Sequence, residues 1–203
     1  MYQPRHFKFD DRQSQLAFIR QYGFGQITSC YQGKLEVNHA PFLLSEDNTE
    51  LLAHFARQNQ HWKLLEKADD INVCFNGPNA YITPNWYTNN SNVPTWNFIN
   101  VQVSGKCTLM NEAELIDLLD KLSQKHEARF EQPWTIDKLS EKQLSAMLKA
   151  IVGFKISIET IEGKAKLSQN KKAQDFDGLL NGLSTQEDDG SIQIYQWMKK
   201  VRA

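Results

Sequence analysis

Three stretches of the chain concentrate side chains that bind or react. In "GKAKLSQNKK", residues 163–172, four lysines enclose Ser168, Gln169 and Asn170. Lys164 and Lys166 alternate around Ala165, so an extended backbone points both the same way. Two ammonium groups beside a hydroxyl and two amides can hold a phosphate, although a solvated basic loop fits the same spacing. In "HFARQNQHW", Arg57 and Gln58 stand between a strand-like run and a helix-like run. N–H groups at a helix start attract anions, and a guanidinium adds a two-point phosphate ligand. A helix start with a surface arginine explains those residues equally well. In "AYITPNWYTNNSNVPTWNF", aromatic rings and amides crowd together. Rings supply flat walls and Asn or Thr can read the polar edge of a ring ligand, while core packing or a dimer contact would use the same rings.

Other chemistries find no support in the spacing. The chain has no Gly-rich phosphate loop, no HExxH and no GxSxG. His39, His54, His61 and His126 fall in different expected elements, and zinc needs convergent ligands. The 23 basic and 24 acidic side chains leave a net charge of −1. A general polyanion binder is usually basic, so contact with nucleic acid requires a local patch or a dimer. Cys30, Cys74 and Cys107 have neither metal-ligand spacing nor the pattern of a disulfide framework. Each falls in an expected strand and reads as a buried free thiol in a reducing compartment. "MYQPRHFKFDDRQ" lacks an apolar signal core, and no apolar run approaches ~20 residues. The expected location is cytoplasmic.

The elements that must position these residues follow from periodicity. Asp10 or Asp11 can cap a helix through "RQSQLAFIRQYG", stopped by Gly23. "FGQITSCYQGKLEVNHAPFLL" reads as two strands around Tyr31-Gln32-Gly33-Lys34. "ELLAHFAR" is a strand, and "NQHWKLLEKA" a helix capped by Asn59. "INVCFNG" and "AYITPNWY" flank Gly77-Pro78-Asn79, a turn signal that predicts another hairpin. "TNNSNVPTW" is a polar loop, and "NFINVQVSGKCTL" resumes strand character. Asn111 with Glu114, and Ser140 with Gln143, are capping-box pairs that open two amphipathic helices. "VGFKISIET" alternates as a half-buried strand. Hairpin turns dominate, so the sheet should be largely antiparallel: mainly β with peripheral helices, an α+β barrel. After the acidic "TQEDDGS", "IQIYQWMKKV" reads as a short amphipathic helix. The expected division is 1–175 as the main domain and 176–203 as a C-terminal helical appendage that could dock on a partner subunit.

The motifs "MYQPRHF", "HAPFLL", "HFARQNQHW", "GPNAYITPNWY", "VPTWNF", "HEARFEQPW", "MLKAIVGFKISI" and "EGKAKLSQNK" follow one another along the chain. In that order they resemble the PaiB-like family, FMN-binding negative transcriptional regulators. The resemblance runs from Met1 to about Gly182. It implies an FMN-binding split β-barrel of the pyridoxamine-phosphate-oxidase-like type, a homodimer with flavin at the subunit interface, and contact with DNA, direct or indirect. By the same resemblance Arg57 is the first phosphate candidate, with His54 and Asn59 near it; Ala56 stands where related barrels carry serine. Thr83, Trp86, Thr95, Trp96 and Asn97 would flank the isoalloxazine ring, followed by Lys166, Ser168 and Gln169. Two other uses of the barrel stay open: a flavin-dependent oxidoreductase acting on a small substrate, and a haem-binding module with His39 or His54 as axial ligand.

Overall fold

A computed structural model of the chain describes residues 1–68, 70–88 and 92–202. In chain order the elements are α1 (Arg12–Gln21), β1 (Phe24–Tyr31), β2 (Lys34–Pro41), β3 (Leu43–Leu44), β4 (Glu50–Ala56), α2 (Trp62–Leu65) and β5 (Asp70–Ile82). There follow β6 (Thr95–Gly105), β7 (Cys107–Leu109), α3 (Glu112–Glu127), α4 (Glu141–Ala150), β8 (Ile151–Ser157), β9 (Thr160–Lys166), α5 (Ala173–Ser184) and α6 (Asp189–Arg202). One sheet has the order β2-β1-β5-β6-β9 and the other β3-β4-β8-β7. The β1–β2, β1–β5, β3–β4, β4–β8 and β7–β8 pairings are antiparallel. The expected α+β class with antiparallel sheets is therefore what the chain adopts.

The chain forms two compact units. The first comprises Met1–Phe18, Phe75–Gln102 and Glu162–Ala203, and the second Ile19–Cys74 and Val103–Ile161. The boundary expected after residue 175 falls inside α5. Leu179 and Leu183 of α5, and Ile194 and Met198 of α6, are fully buried. In the second unit, Leu115, Leu118 and Leu122 of α3 and Leu148 of α4 share a core cluster with Leu43 and Leu52. That cluster is the apolar stripe read at helical spacing, now given a sheet to cover.

Local signals explain most of the boundaries. The Asp11 carboxylate accepts from the Ser14 amide and opens α1. Gln32 and Gly33 both have positive φ, 50° and 77°, which is the backbone a two-residue hairpin needs to match strand twist. Asn111 accepts from the Glu114 amide at 3.0 Å while Glu114 accepts from the Asn111 amide at 2.9 Å, a complete capping box on α3. Ser140 and Gln143 do the same for α4. Asn111→Ala is expected to lower stability by about 1 kcal/mol. A urea midpoint matching that of the parent chain would show that Asn111 does not hold α3.

Three expectations are corrected. Gly77-Pro78-Asn79 is no turn, because β5 runs unbroken through it. Gly77 is needed for closeness: a Cβ there would lie 2.6 Å from the Phe18 ring. The helix expected over "NQHWKLLEKA" is a single turn, α2, and His61 occupies its N-cap position. Asn59 instead accepts from the His61 amide, a local turn that uses up its side chain before the helix begins. The cysteines lie in strands β1, β5 and β7 as expected, but all three are half-buried rather than buried. Burial and the nearby Glu66 carboxylate push the Cys107 thiol up to about 12, far from a reactive thiolate. The polar loop over residues 88–96 lies partly outside the described residues, at 89–91.

Candidate functional site

In the first unit the lysine-rich stretch is an ordered turn between β9 and α5. Ser168 has φ 64°, a left-handed conformation that side chains rarely adopt, and is buried. A residue so placed persists only where its neighbours over-determine it. Its hydroxyl donates to Asn97 Oδ1 at 3.1 Å, and the Asn97 amide nitrogen reaches Met198 Sδ at 3.5 Å. Gln169 brackets the turn, accepting from the Leu167 amide at 2.8 Å and donating to the Ala165 carbonyl at 2.6 Å. The side chains of Ser168, Asn97 and Gln169 thus hold the turn in shape.

The lysines flank a small cavity of about 210 Å³ whose lining includes Tyr87, Thr95, Lys166, Ser168, Asn170 and Lys171. The Lys166 ammonium donates to the Trp96 carbonyl at 2.7 Å and to the Thr95 hydroxyl. Burial, then the charges of Lys164 and Lys171, pull Lys166 below the usual lysine range. The Lys171 ammonium donates to Asn92 Oδ1 at 2.7 Å and sits 4.7 Å from the Tyr87 ring centre. Tyr87 is only 7% exposed, and its hydroxyl has no hydrogen-bond partner among the described residues. Burial and the Asp175 carboxylate raise it above the ordinary phenol value, so it remains an O–H. Asp175 itself accepts from the Thr88 amide and hydroxyl, which hold its carboxyl below the usual range.

The same unit carries an aromatic cavity of about 580 Å³, lined by Asn79, Tyr81, Thr83, Trp86, Trp96 and Asp188 among others. Tyr81 and Trp96 meet edge to face at 5.9 Å, and both are about half exposed. Thr83 caps the 3-10 turn Pro84–Trp86 by accepting from the Asn85 amide at 3.3 Å. Trp86 then lies on α5, where a Cβ at Gly178 would come 2.1 Å from the Trp86 carbonyl oxygen and one at Gly182 2.2 Å from its ring. The glycine pair is what lets the indole settle on the helix. Flat apolar walls of this size fit a fused-ring ligand.

The second unit holds His54, Arg57 and Asn59. His54 lies on β4 with Nδ1 buried and without a partner among the described residues, and burial lowers its pKa. The Arg57 guanidinium donates to the carbonyls of Lys149 at 2.8 Å and Ile151 at 2.9 Å, and lies 5.9 Å from the Trp62 ring centre. Two carbonyls and a ring hold an exposed fixed cation in one orientation, with N–H groups to spare. This arrangement fits a phosphate. The N–H groups of a long helix, expected to assist, are replaced by those of a single turn.

His61, in the same unit, is buried and contacts Ser29 Oγ through Nε2 at 2.8 Å and Asn38 Nδ2 through Nδ1 at 3.0 Å. Burial lowers its pKa, partly opposed by Glu36. His54 and His61 therefore bind protons less readily when folded than when unfolded. Stability should be highest above the ordinary histidine pKa of about 6.5 and fall as pH drops below it. Urea melts at pH 7 and pH 5 measure this. An equal fall in a His54→Gln, His61→Gln variant would clear both histidines of the effect.

Eight of the eleven candidate residues thus lie in the first unit, and His54, Arg57 and Asn59 lie in the second. Tyr81, Tyr87 and Lys171 lie inside the stretches singled out in the sequence but were not named as site residues, and the Gly178–Gly182 pair was passed over. Lys171 is the penultimate residue of the first stretch considered, and two glycines four apart in an apolar helix pattern were the signal for a close-packed ring.

Comparison with known proteins agrees with this chemistry. Residues 1–160 match the family described as "Putative FMN-binding domain". Protease synthase and sporulation protein PAI 2 of Bacillus subtilis is 36% identical over 201 residues, covering 98% of this chain and 97% of that one. The uncharacterized protein AN0679 of Emericella nidulans is 28% identical, with 81% and 83% covered. Among solved structures, the FAD and heme binding protein from Mycobacterium smegmatis has a TM-score of 0.60 at 12% identity, with 82% and 76% covered. The flavocytochrome Anf3 from Azotobacter vinelandii has a TM-score of 0.56 at 15% identity, with 82% and 73% covered. The chain shares its fold with these two structures, and the family it matches is described as FMN-binding.

Proposed function

The chain belongs to the PaiB-like family of FMN-binding proteins, and on that premise we propose that it works as a cytoplasmic, homodimeric flavoprotein that represses transcription. FMN, when bound, supplies reversible redox chemistry; the protein binds and orients it. The observation that carries the reading is the aromatic cavity of about 580 Å³. Its Tyr81, Trp86 and Trp96 walls are assigned to the isoalloxazine ring, with Thr83 setting the turn that presents Trp86. In the second unit, taken by itself, Arg57 is the candidate phosphate ligand, with His54 three residues before it and Asn59 shaping the following turn. Thr95 and Lys166 border the cofactor site, while Asn97, Ser168 and Gln169 hold that border in shape.

Exposed apolar side chains support the dimer. On β2, Leu35 and Val37 are exposed, Phe24 of β1 is exposed opposite Pro41 at the other end of β2, and β2 ends its sheet. An outward apolar row on an edge strand invites a partner. In the first unit Tyr2, Val93 and Trp96 are exposed as well. Among the described residues no helix is long and apolar enough to cross a membrane. Cys30, Cys74 and Cys107 form no disulfide among the described residues, which agrees with a reducing compartment.

The deciding measurement is the absorbance of freshly purified protein together with its mass in solution. A band near ~450 nm and a dimer mass are expected. Colourless protein that takes up no FMN, or a monomer at all concentrations, would overturn the reading. Retention of promoter DNA over random DNA, weakening with salt, tests the regulatory part. FMN-dependent NAD(P)H oxidation without such retention would replace the repressor with an oxidoreductase.

A further inference from the structure

We propose that the small cavity walled by Tyr87, Thr95, Lys166, Ser168 and Lys171 binds the anionic group, carboxylate or phosphate, of a small molecule other than the flavin. The proposal rests on the assignment of the flavin ring to the aromatic cavity, and it gives the smaller cavity of the same unit a ligand of its own.

Charge is the first argument. Two ammonium groups line this cavity, and among the described residues no carboxylate lines it. The salt bridges among the described residues involve Met1, Lys121 and Lys155, and neither Lys166 nor Lys171. Lys164 and Lys171 each act on Lys166 in the repulsive sense. Like charges held together in a partly buried site are relieved by an anion that enters between them.

Rigidity is the second. Lys166 is fixed by the Trp96 carbonyl and the Thr95 hydroxyl, and Lys171 by Asn92 and the Tyr87 ring. Both cations are therefore positioned before any ligand arrives, which lowers the entropy lost on binding. The Ser168 turn between them is held in its left-handed conformation by the buried Asn97 contact. Tyr87 adds a buried hydroxyl with no partner among the described residues. Leaving such a group unsatisfied costs on the order of 1–3 kcal/mol, so its retention calls for a use.

Size is the third. At about 210 Å³ the cavity lies below the ~300–1,000 Å³ typical of drug-sized ligands. It admits an acid of a few carbons or a phosphate group, and is too small for a whole flavin nucleotide. Phe7 and Val93 also line it and give one apolar side. The chemistry is thus that of a short-chain organic acid or a small phosphate ester.

The test titrates the full-length, FMN-loaded protein with succinate and, separately, with inorganic phosphate, by calorimetry at constant ionic strength. Saturable binding of one anion per chain is expected, and the tighter of the two identifies carboxylate or phosphate as the ligand group. Lys171→Gln should weaken that binding at least about tenfold, the loss of one charge-assisted hydrogen bond. Lys172→Gln, the exposed neighbour, should leave it unchanged. Tyr87→Phe should weaken it with the ammonium groups intact. FMN affinity, read separately from flavin fluorescence, should stay the same in Lys171→Gln. Absence of saturable binding, or equal loss in the Lys171 and Lys172 variants, overturns the proposal. Loss of FMN affinity in Lys171→Gln overturns it too, by giving the cavity to the cofactor. A wild-type chain that binds no FMN at all would instead bring down the flavin assignment, a failure visible before any anion is added.

Discussion

Gly182→Ala is expected to destabilise the chain by roughly 1–3 kcal/mol, although alanine is the better helix former. The two effects oppose each other. Alanine gains about 1 kcal/mol of helix propensity in the interior of α5. Against that, its Cβ would lie between 2.2 and 2.4 Å from three ring atoms of Trp86. Contacts so short force the indole off the helix. Retreat is obstructed at the other end, because the Trp86 carbonyl already lies where a Cβ at Gly178 would be, 2.1 Å away. Overpacking of this kind exceeds the propensity gain. For a chain of this length the fall in Tm should be several degrees. Because Trp86 walls the aromatic cavity, FMN affinity should fall together with stability. A variant that melts higher than the parent and keeps its flavin would show that propensity dominates and that the indole moves freely.

Arg57→Ala is expected to weaken FMN binding by roughly 1.5–3 kcal/mol, about 10- to 150-fold in Kd, through loss of a charge-assisted hydrogen bond. Fluorescence titration of the folded variant measures it. Some stability is lost as well, because the guanidinium ties the chain after β4 to the carbonyls of Lys149 and Ile151. Lysine keeps the charge but cannot reproduce that fork, so Arg57→Lys should retain only part of the affinity. Unchanged FMN affinity in folded Arg57→Ala would remove Arg57 from the phosphate site and leave the aromatic cavity as the surviving part of the assignment.

The local code was legible wherever the interaction spans only a few residues. Asn111 with Glu114 and Ser140 with Gln143 announce helix starts because each box closes on its own backbone. Gln32-Gly33 announces a hairpin because the turn needs φ values that glycine supplies without cost. Gly77-Pro78 misled for the opposite reason. Glycine there answers to the Phe18 ring, a partner 59 residues earlier in the chain, and sequence spacing carries no trace of that contact. The helix after Asn59 also failed, because its amide bonds locally to His61 before a helix can start.

By itself the sequence determined the α+β class, the apolar stripes of α3 and α4, the residue types able to hold a flavin and, through its ordered motifs, the family. These depend on composition, periodicity and short-range hydrogen bonds. Only the tertiary structure decided which of those residues share a unit. It set Lys166 against the start of β6, Trp86 on the glycines of α5, and Lys171 over the Tyr87 ring. Each contact joins segments many residues apart and is made by packing, whose energy depends on what lies alongside in space rather than on what lies next in the chain.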